Sequence, residues 1–205
     1  MKLHRYRTLL CAACCCLLAL AAAGPGSALG APITISNITD LQKIGNDAAF
    51  PLDGDYLLGG DIDASATATW NAGAGFDPIG DSGTPFTGSF DGKGYTISDL
   101  TINRPAEDYV GLFGYASAAT LKDVNFDSAA IQGRSETGIL AGETDYSFIS
   151  GCKAAGTVTG TAGSSNYVGG LIGYTYFGSI TSCSSAAVVS GYYYIGGLVG
   201  YNYLA

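Results

Sequence analysis

Gly169-Gly170-Leu171-Ile172-Gly173-Tyr174 decides the fold, because three other segments read as copies of it. They are Gly111-Leu112-Phe113-Gly114-Tyr115, Gly138-Ile139-Leu140-Ala141-Gly142-Glu143 and Gly196-Gly197-Leu198-Val199-Gly200-Tyr201. Aligning the closing glycines (Gly114, Gly142, Gly173, Gly200) gives steps of 28, 31 and 27 residues, in the range where a fixed period marks a solenoid or array. A second mark runs in phase. Leu121-Lys122-Asp123-Val124, Ile149-Ser150-Gly151-Cys152 and Ile180-Thr181-Ser182-Cys183 follow their glycine motifs by 7 to 10 residues. Gly, Ser, Thr, Val and Ala fill the intervals, so each repeat should supply short strands and tight corners. Such a coil buries its apolar residues only by stacking on its neighbours. The sequence therefore predicts an all-β, right-handed parallel β-helix. The second copy, with Ala141 and Glu143 in place of a larger apolar residue and Tyr, predicts an irregular coil there.

The pattern Tyr-Val/Ile-Gly-Gly-Leu-Ile/Val-Gly-Tyr followed by Ile-x-x-Cys resembles the GLUG repeat of bacterial secreted and surface proteins. These include large adhesins, haemagglutinin-like proteins and the non-catalytic regions of some immunoglobulin-A-cleaving metallopeptidases. Upstream, Asp61-Ile62-Asp63, Trp70, Pro78-Ile79-Gly80 and the run from Phe86 to Ile102 are similar to the segment leading into the repeats of such proteins. The likeness spans roughly residues 40 to 205. It implies a non-catalytic scaffold, the N-terminal part of an adhesin mediating attachment.

Ahead of the repeats, Lys2, Arg5 and Arg7 precede an apolar run from Leu9 to Ala23, and Ala28-Leu29-Gly30 ends in small residues. This is the pattern of a secretory signal peptide over residues 1–30. The run is too short for a comfortable membrane span, so the mature chain is expected to be secreted or on the cell surface and not transmembrane. Cleavage after Gly30 would leave 17 acidic residues against six basic ones, a balance that argues against a nucleic-acid partner. His4, the single histidine, leaves with the leader. Without imidazole, Ser-His-Asp, Cys-His, His-ligated zinc and H-E-x-x-H chemistries are excluded. Carboxylate chemistry survives that filter, and a polysaccharide-acting β-helix enzyme using aspartates is the rival reading. The stalk of a surface metallopeptidase is another.

Residues 31–60 read as an N-terminal cap. Ile33-Thr34-Ile35 is a short strand and Asp40 to Ile44 a helical turn or two, with Thr39 or Asp40 as N-cap. Residues 61–108 are expected to form the first coils, with Ser65 to Phe76 as a loop leaving the body. Residues 109–205 hold the repeats, incomplete at the C-terminus, as in the N-terminal piece of a longer chain. Asp91-Gly92 with Gly94 reads as a hairpin-like turn.

Three features hold the candidate sites. Asp53 and Asp55, Asp61 and Asp63, and Asp77 and Asp81 form close pairs. Asp next to Gly is ordinary turn chemistry in which the carboxylate caps local amides; the alternative is a Ca²⁺ site drawing on Asp61, Asp63, Asp77 and Asp81. No catalytic residue and no other cofactor is expected. Cys152 and Cys183 should lie on neighbouring coils, either as a buried ladder continuing Val124 or as a disulfide. Tyr174 and Tyr201 share a repeat position with Tyr115, and Tyr192, Tyr193 and Tyr194 form a turn. Rows of aromatics either stabilise a coil edge or contact a partner. The expected partner is a host, matrix or cell-surface protein or glycan.

Overall fold

The computed structural model describes residues 31–161 and 167–205. The signal peptide expected over residues 1–30 lies outside the described residues. Four sheets run along the chain as the faces of a parallel β-solenoid. The first face stacks Ile33–Ile35, Asp55–Leu58, Ser89–Asp91, Thr120–Lys122, Ala141–Ser150, Ile172–Thr181 and Val199–Tyr203, with Phe113–Ser117 also paired to Ala141–Ser150. The second holds Ile62–Asp63, Thr96–Ser98, Asn125–Asp127, Lys153–Ala154 and Ser184–Ser185. The third holds Thr101–Asn103, Ala129–Gly133, Gly156–Gly160 and Val188–Ser190, and the fourth Asp108–Val110, Ser135–Thr137, Val168–Gly169 and Ile195–Gly196. Pairing along every face is parallel. The all-β solenoid read from the repeats is what the chain forms.

Register follows the repeat alignment. Ala141 pairs with Phe113 and with Ile172, and Ile172 with Val199, which aligns the four closing glycines. The second mark is aligned as well: Ile149 pairs with Leu121 and with Ile180. The core is made of apolar files one residue wide. Tyr56, Phe90, Leu121, Ile149 and Ile180 succeed one another on the first face, and Ile102, Ile131, Val158 and Val189 on the third. Each side chain meets its counterpart one strand spacing, about 4.8 Å, above and below. Identical positions must therefore carry compatible volumes. The coil with Ala141 is regular, since Ala141–Ser150 is one unbroken ten-residue strand. A smaller side chain at Ala141 is absorbed between Phe113 and Ile172 without a break in pairing.

The closing glycines are required by backbone proximity. A Cβ on Gly142 would stand 2.5 Å from the carbonyl carbon of Tyr109, one on Gly173 2.5 Å from that of Glu136, and one on Gly200 2.5 Å from Val168 N. Real Cβ atoms do not come so near. The glycine column thus lets the first face press directly against the corner that leads into it from the fourth face.

Nearer the N-terminus the details differ from expectation. The helix spans Ile38–Lys43 and its N-cap is Asn37, whose side chain accepts a 2.9 Å hydrogen bond from Asp40 N. Asn is as good a cap as Asp, and Ile38 and Leu41 can then both turn inward. Ser65–Gly73 holds two short 3-10 turns joined across a kink at Trp70, Asn71 and Ala72, and it stays on the body: Thr67 is buried and its hydroxyl accepts from Thr101 N at 2.9 Å, while Phe76 is fully buried. Asp91 to Gly94 is a corner between the first and second faces, because the strands it joins run in different sheets. Asp91 still accepts from Lys93 N there, at 2.8 Å.

Candidate functional site

Two columns of residues face one another across the glycine column. On the fourth face, or at the residue that enters it, stand Tyr109, Glu136, Tyr167 and Tyr194. Pairing of Ser135 with Asp108, Thr137 with Val168 and Val168 with Ile195 puts them at one position of successive coils. On the first face stand Tyr115, Glu143, Tyr174 and Tyr201, also in register. Asp145, Tyr176 and Tyr203 form a third column beside them. Alternate residues of a strand share a side, so the second and third columns present one surface.

Tyrosines meet across the columns and along them. Tyr109 lies edge-on to Tyr115 at 5.6 Å and Tyr167 to Tyr174 at 5.2 Å. Tyr194 meets Tyr201 at 5.2 Å. Tyr174 and Tyr201 are parallel within 4° at 5.5 Å, and Tyr176 and Tyr203 within 12° at 5.1 Å. Rings stacked this way turn their faces to one another along the solenoid.

One coil breaks the pattern by placing Glu136 and Glu143 where its neighbours have tyrosines. The neighbouring tyrosines shield both carboxyls from water, and that burial, reinforced by Asp108 at Glu136 and by Glu136 and Asp145 at Glu143, pushes each up to about 7. Asp145 is also raised, mainly by burial. Neither Glu143 nor Asp145 makes an ion pair among the described residues, whereas Asp108 is held by Arg134, with Nε donating at 2.7 Å. Ser135 Oγ and Asp145 Oδ1 are the two buried side-chain oxygens without a hydrogen-bond partner among the described residues, and both fall in this coil. Tyr109, Glu136 and Tyr194 hold φ of 59°, 40° and 44°, a left-handed bend of the kind that recurs around the coils, as at Asp99, Asp123 and Ser128.

The other candidates are placed as follows. Asp61 accepts from Thr96 N at 2.8 Å, and Asp63 caps Ser65 N at 2.9 Å. Asp81 caps Gly83 N and Thr84 N at 2.7 and 2.8 Å. Asp77 pairs with Arg104 at 2.9 Å, and the same guanidinium takes Glu107. These four carboxylates are engaged separately, and among the described residues no three His, Cys, Asp or Glu side chains are grouped as a metal site. Tyr192, Tyr193 and Tyr194 are more than half exposed, and Tyr194 joins the fourth-face column.

Residues 164–190 match the GLUG motif. The GLUG match takes in Tyr167, Tyr174 and Cys183, so the tyrosine columns and the second mark are parts of one motif. The chain is also 44% identical over 163 residues to halomucin of Haloquadratum walsbyi, an overlap of 77% of this chain and 2% of that protein. It is 42% identical over 59 residues, 29% of this chain and 7% of the other, to a protein of Evansella cellulosilytica described as a Gly-rich membrane protein. The chain therefore corresponds to a small fraction of either relative's length. A crystal structure from Bacteroides ovatus, described as an immunoglobulin A1 protease, superposes with a TM-score of 0.52 at 17% identity, covering 83% of this chain and 62% of that one. At that identity the likeness is one of fold.

In the GLUG coil Cys183 lies beside Cys152 on the coil before, and both thiols are free. Their S–H groups turn toward carbonyls two residues back, Thr181 O at 3.3 Å and Ser150 O at 3.4 Å. The Cys152 thiol lowers Cys183 to about 7, while Cys183 and burial raise Cys152. Iodoacetamide at neutral pH is accordingly expected to label Cys183 and spare Cys152 in the folded chain. Peptide mass spectrometry reads the ratio, and equal labelling would show the rung to be open.

The repeat pattern takes in Tyr174 and Tyr201 and, as its first residue, Tyr167 and Tyr194, but of the facing column it leaves out Tyr109 and Glu136. The signal for that column is Tyr109-x-Gly111, Glu136-x-Gly138, Tyr167-x-Gly169 and Tyr194-x-Gly196, a Tyr or Glu two residues before each opening glycine.

Proposed function

We propose that this chain is a non-catalytic module of a cell-surface protein, exported by its N-terminal leader and serving in attachment. The observation that carries the reading is the sustained identity with halomucin across 77% of the chain, together with the GLUG match. One relative is named halomucin, and another is described as a Gly-rich membrane protein. The geometry supports display. Stacked parallel coils make a stiff body whose outward columns repeat one strand spacing apart, a surface suited to a protein or glycan partner on another cell or matrix. The histidine-free body and the separately engaged aspartates agree with a role that requires no chemistry.

The test is to follow the native protein in the organism that encodes it. Intact mass should place the mature N-terminus at Ala31, and protease treatment of whole cells should remove the protein from the surface fraction. Cells lacking the gene should adhere less to a matrix or to one another. Retention in the cytoplasm with the leader intact would overturn the reading.

A further inference from the structure

We propose that a depression beside Trp70, between the N-terminal helix and residues 70–77, binds a neutral sugar ring of a glycan. Trp70 is the single tryptophan of the chain. One side of its indole lies offset against the fully buried ring of Phe76, at 6.5 Å and within 23° of parallel. The rest of it lines an open depression of about 440 Å³, together with Gln42, Asn46, Asn71 and Asp77. A second depression, of about 310 Å³, shares Asn46 and Asp77 with the first and extends to Tyr109. Both volumes fall in the range of small-ligand sites, roughly 300–1,000 Å³. The walls are held in place before anything binds. The Gln42 carboxamide donates to Asp77 O at 3.0 Å and accepts from Asp77 N at 2.8 Å, which ties the helix to the loop. Asn46 Nδ2 donates to Gln42 O at 2.9 Å, Asn71 Nδ2 to Gly75 O at 2.8 Å, and Arg104 fixes the Asp77 carboxylate at 2.9 Å. Groups fixed in advance lose little freedom when a ligand arrives.

The chemistry of the lining selects the ligand. A carboxamide has two N–H donors and an acceptor oxygen, and Asn46 and Asn71 each spend one donor on the bonds just given. What remains is a flat apolar ring edged by both donors and acceptors. A pyranose has an apolar C–H face and a rim of hydroxyls that donate and accept, so the sugar can lie on the indole while its rim meets the carboxamides. A proline-rich peptide could cover the indole, but its proline nitrogens carry no hydrogen for the carboxamide oxygens. Charge disfavours an acidic sugar. Asp77 lines both depressions and Asp81, Glu107 and Asp108 line the second, while the Arg104 guanidinium is already shared by Asp77 and Glu107. The inference deepens the attachment reading, and rests on it for where such a glycan would be met. Binding is measured on the isolated chain, so its failure would leave export and display standing, and a failure of display would leave the site standing.

As the single tryptophan, Trp70 reports on its own site. The full chain is titrated with neutral tetrasaccharides of glucose, galactose, mannose and N-acetylglucosamine, with tetragalacturonate and a capped polyproline peptide as comparators. At least one neutral sugar should shift the Trp70 emission to the blue saturably, with a Kd of about 1 mM or tighter, and neither comparator should. By calorimetry, Trp70→Ala should abolish binding. Asn46→Ala, at an exposed position, should weaken it about fivefold with Tm unchanged, which keeps the test open if the loss of Trp70 disturbs the fold. Binding of tetragalacturonate or the polyproline peptide as tight as that of the best neutral sugar, undiminished binding by Asn46→Ala or by a folded Trp70→Ala, or no saturable shift with any neutral sugar would each overturn the assignment.

Discussion

Replacing Gly173 by alanine is expected to destabilise the solenoid by on the order of 3 kcal/mol or more, lowering Tm by roughly 6–12 °C for a chain of this size. The new methyl would sit 2.5 Å from the carbonyl carbon of Glu136, and its other near neighbours, Thr137 N and Gly142 O, are also backbone. No rotamer change can relieve a clash with the main chain. Either the first face lifts from the corner or the coil loses pairing with its neighbours. Because coils contact only adjacent coils, the damage should be local: hydrogen exchange should accelerate between Thr137 and Ile180 and stay slow around Phe90 and Ile97. As a control, Gly197→Ala has open space at its Cβ and should leave Tm within about 2 °C. Equal effects from both substitutions would mean that the column is not a packing requirement.

The second large effect is a loss of stability as pH rises through neutrality. Glu136 and Glu143 hold protons up to about pH 7 in the folded chain, against an ordinary 4.5. Between those values the folded state binds more protons than the unfolded one, so stability falls with increasing pH. Asp108, Arg134, Asp145, Tyr109 and Tyr115 are the groups facing the pair. Raising a carboxyl's pKa by one corresponds to about 1.36 kcal/mol, which solvent screening at these half-covered groups reduces, leaving about 2–4 kcal/mol for the pair. Thermal melts should accordingly show Tm dropping by roughly 5–10 °C from pH 5 to pH 8. The lowered carboxylates Asp40, Asp63, Asp81 and Asp91 work in the opposite sense, and only below about pH 4, as they become protonated. In the Glu136→Gln, Glu143→Gln double variant the slope between pH 4.5 and 7 should flatten, with higher Tm at pH 8. An unchanged slope would show that the two carboxyls ionise freely in the folded chain.

The fold is legible in the sequence because its determinants are periodic. Gly114, Gly142, Gly173 and Gly200 mark one backbone contact repeated per coil, and Leu121, Ile149 and Ile180 one core file, so that counting residues is enough to find the register. What is not periodic is harder to read. Ser65–Gly73 and Asn37 belong to the irregular N-terminal coil, where one buried hydroxyl or one cap decides the path. The site is half visible. Tyr174 and Tyr201 stand next to the glycine motif, whereas Tyr109 and Glu136 come from the fourth-face strands before it and are marked in the sequence only by standing two residues ahead of the opening glycine. Glu143 stands out from the repeat as a departure that suggests a flaw in the coil. Its backbone pairing is undisturbed, and the departure lies in what the surface offers.

The 31-residue step among steps of 27 and 28 acquires a meaning from the register. Gly133 pairs with Gly160, 27 positions on, but Thr137 pairs with Val168, 31 positions on. All four additional residues therefore fall between Gly160 and Val168, and the next turn returns to 27, with Val168 paired to Ile195. In this turn the change of length is taken up at the corner entering the fourth face. Sequence can be gained or lost there while every ladder stays in step, so coils of unequal length can share one set of core files. A lineage could thus diversify the rim beside the tyrosine columns while its core stays unchanged.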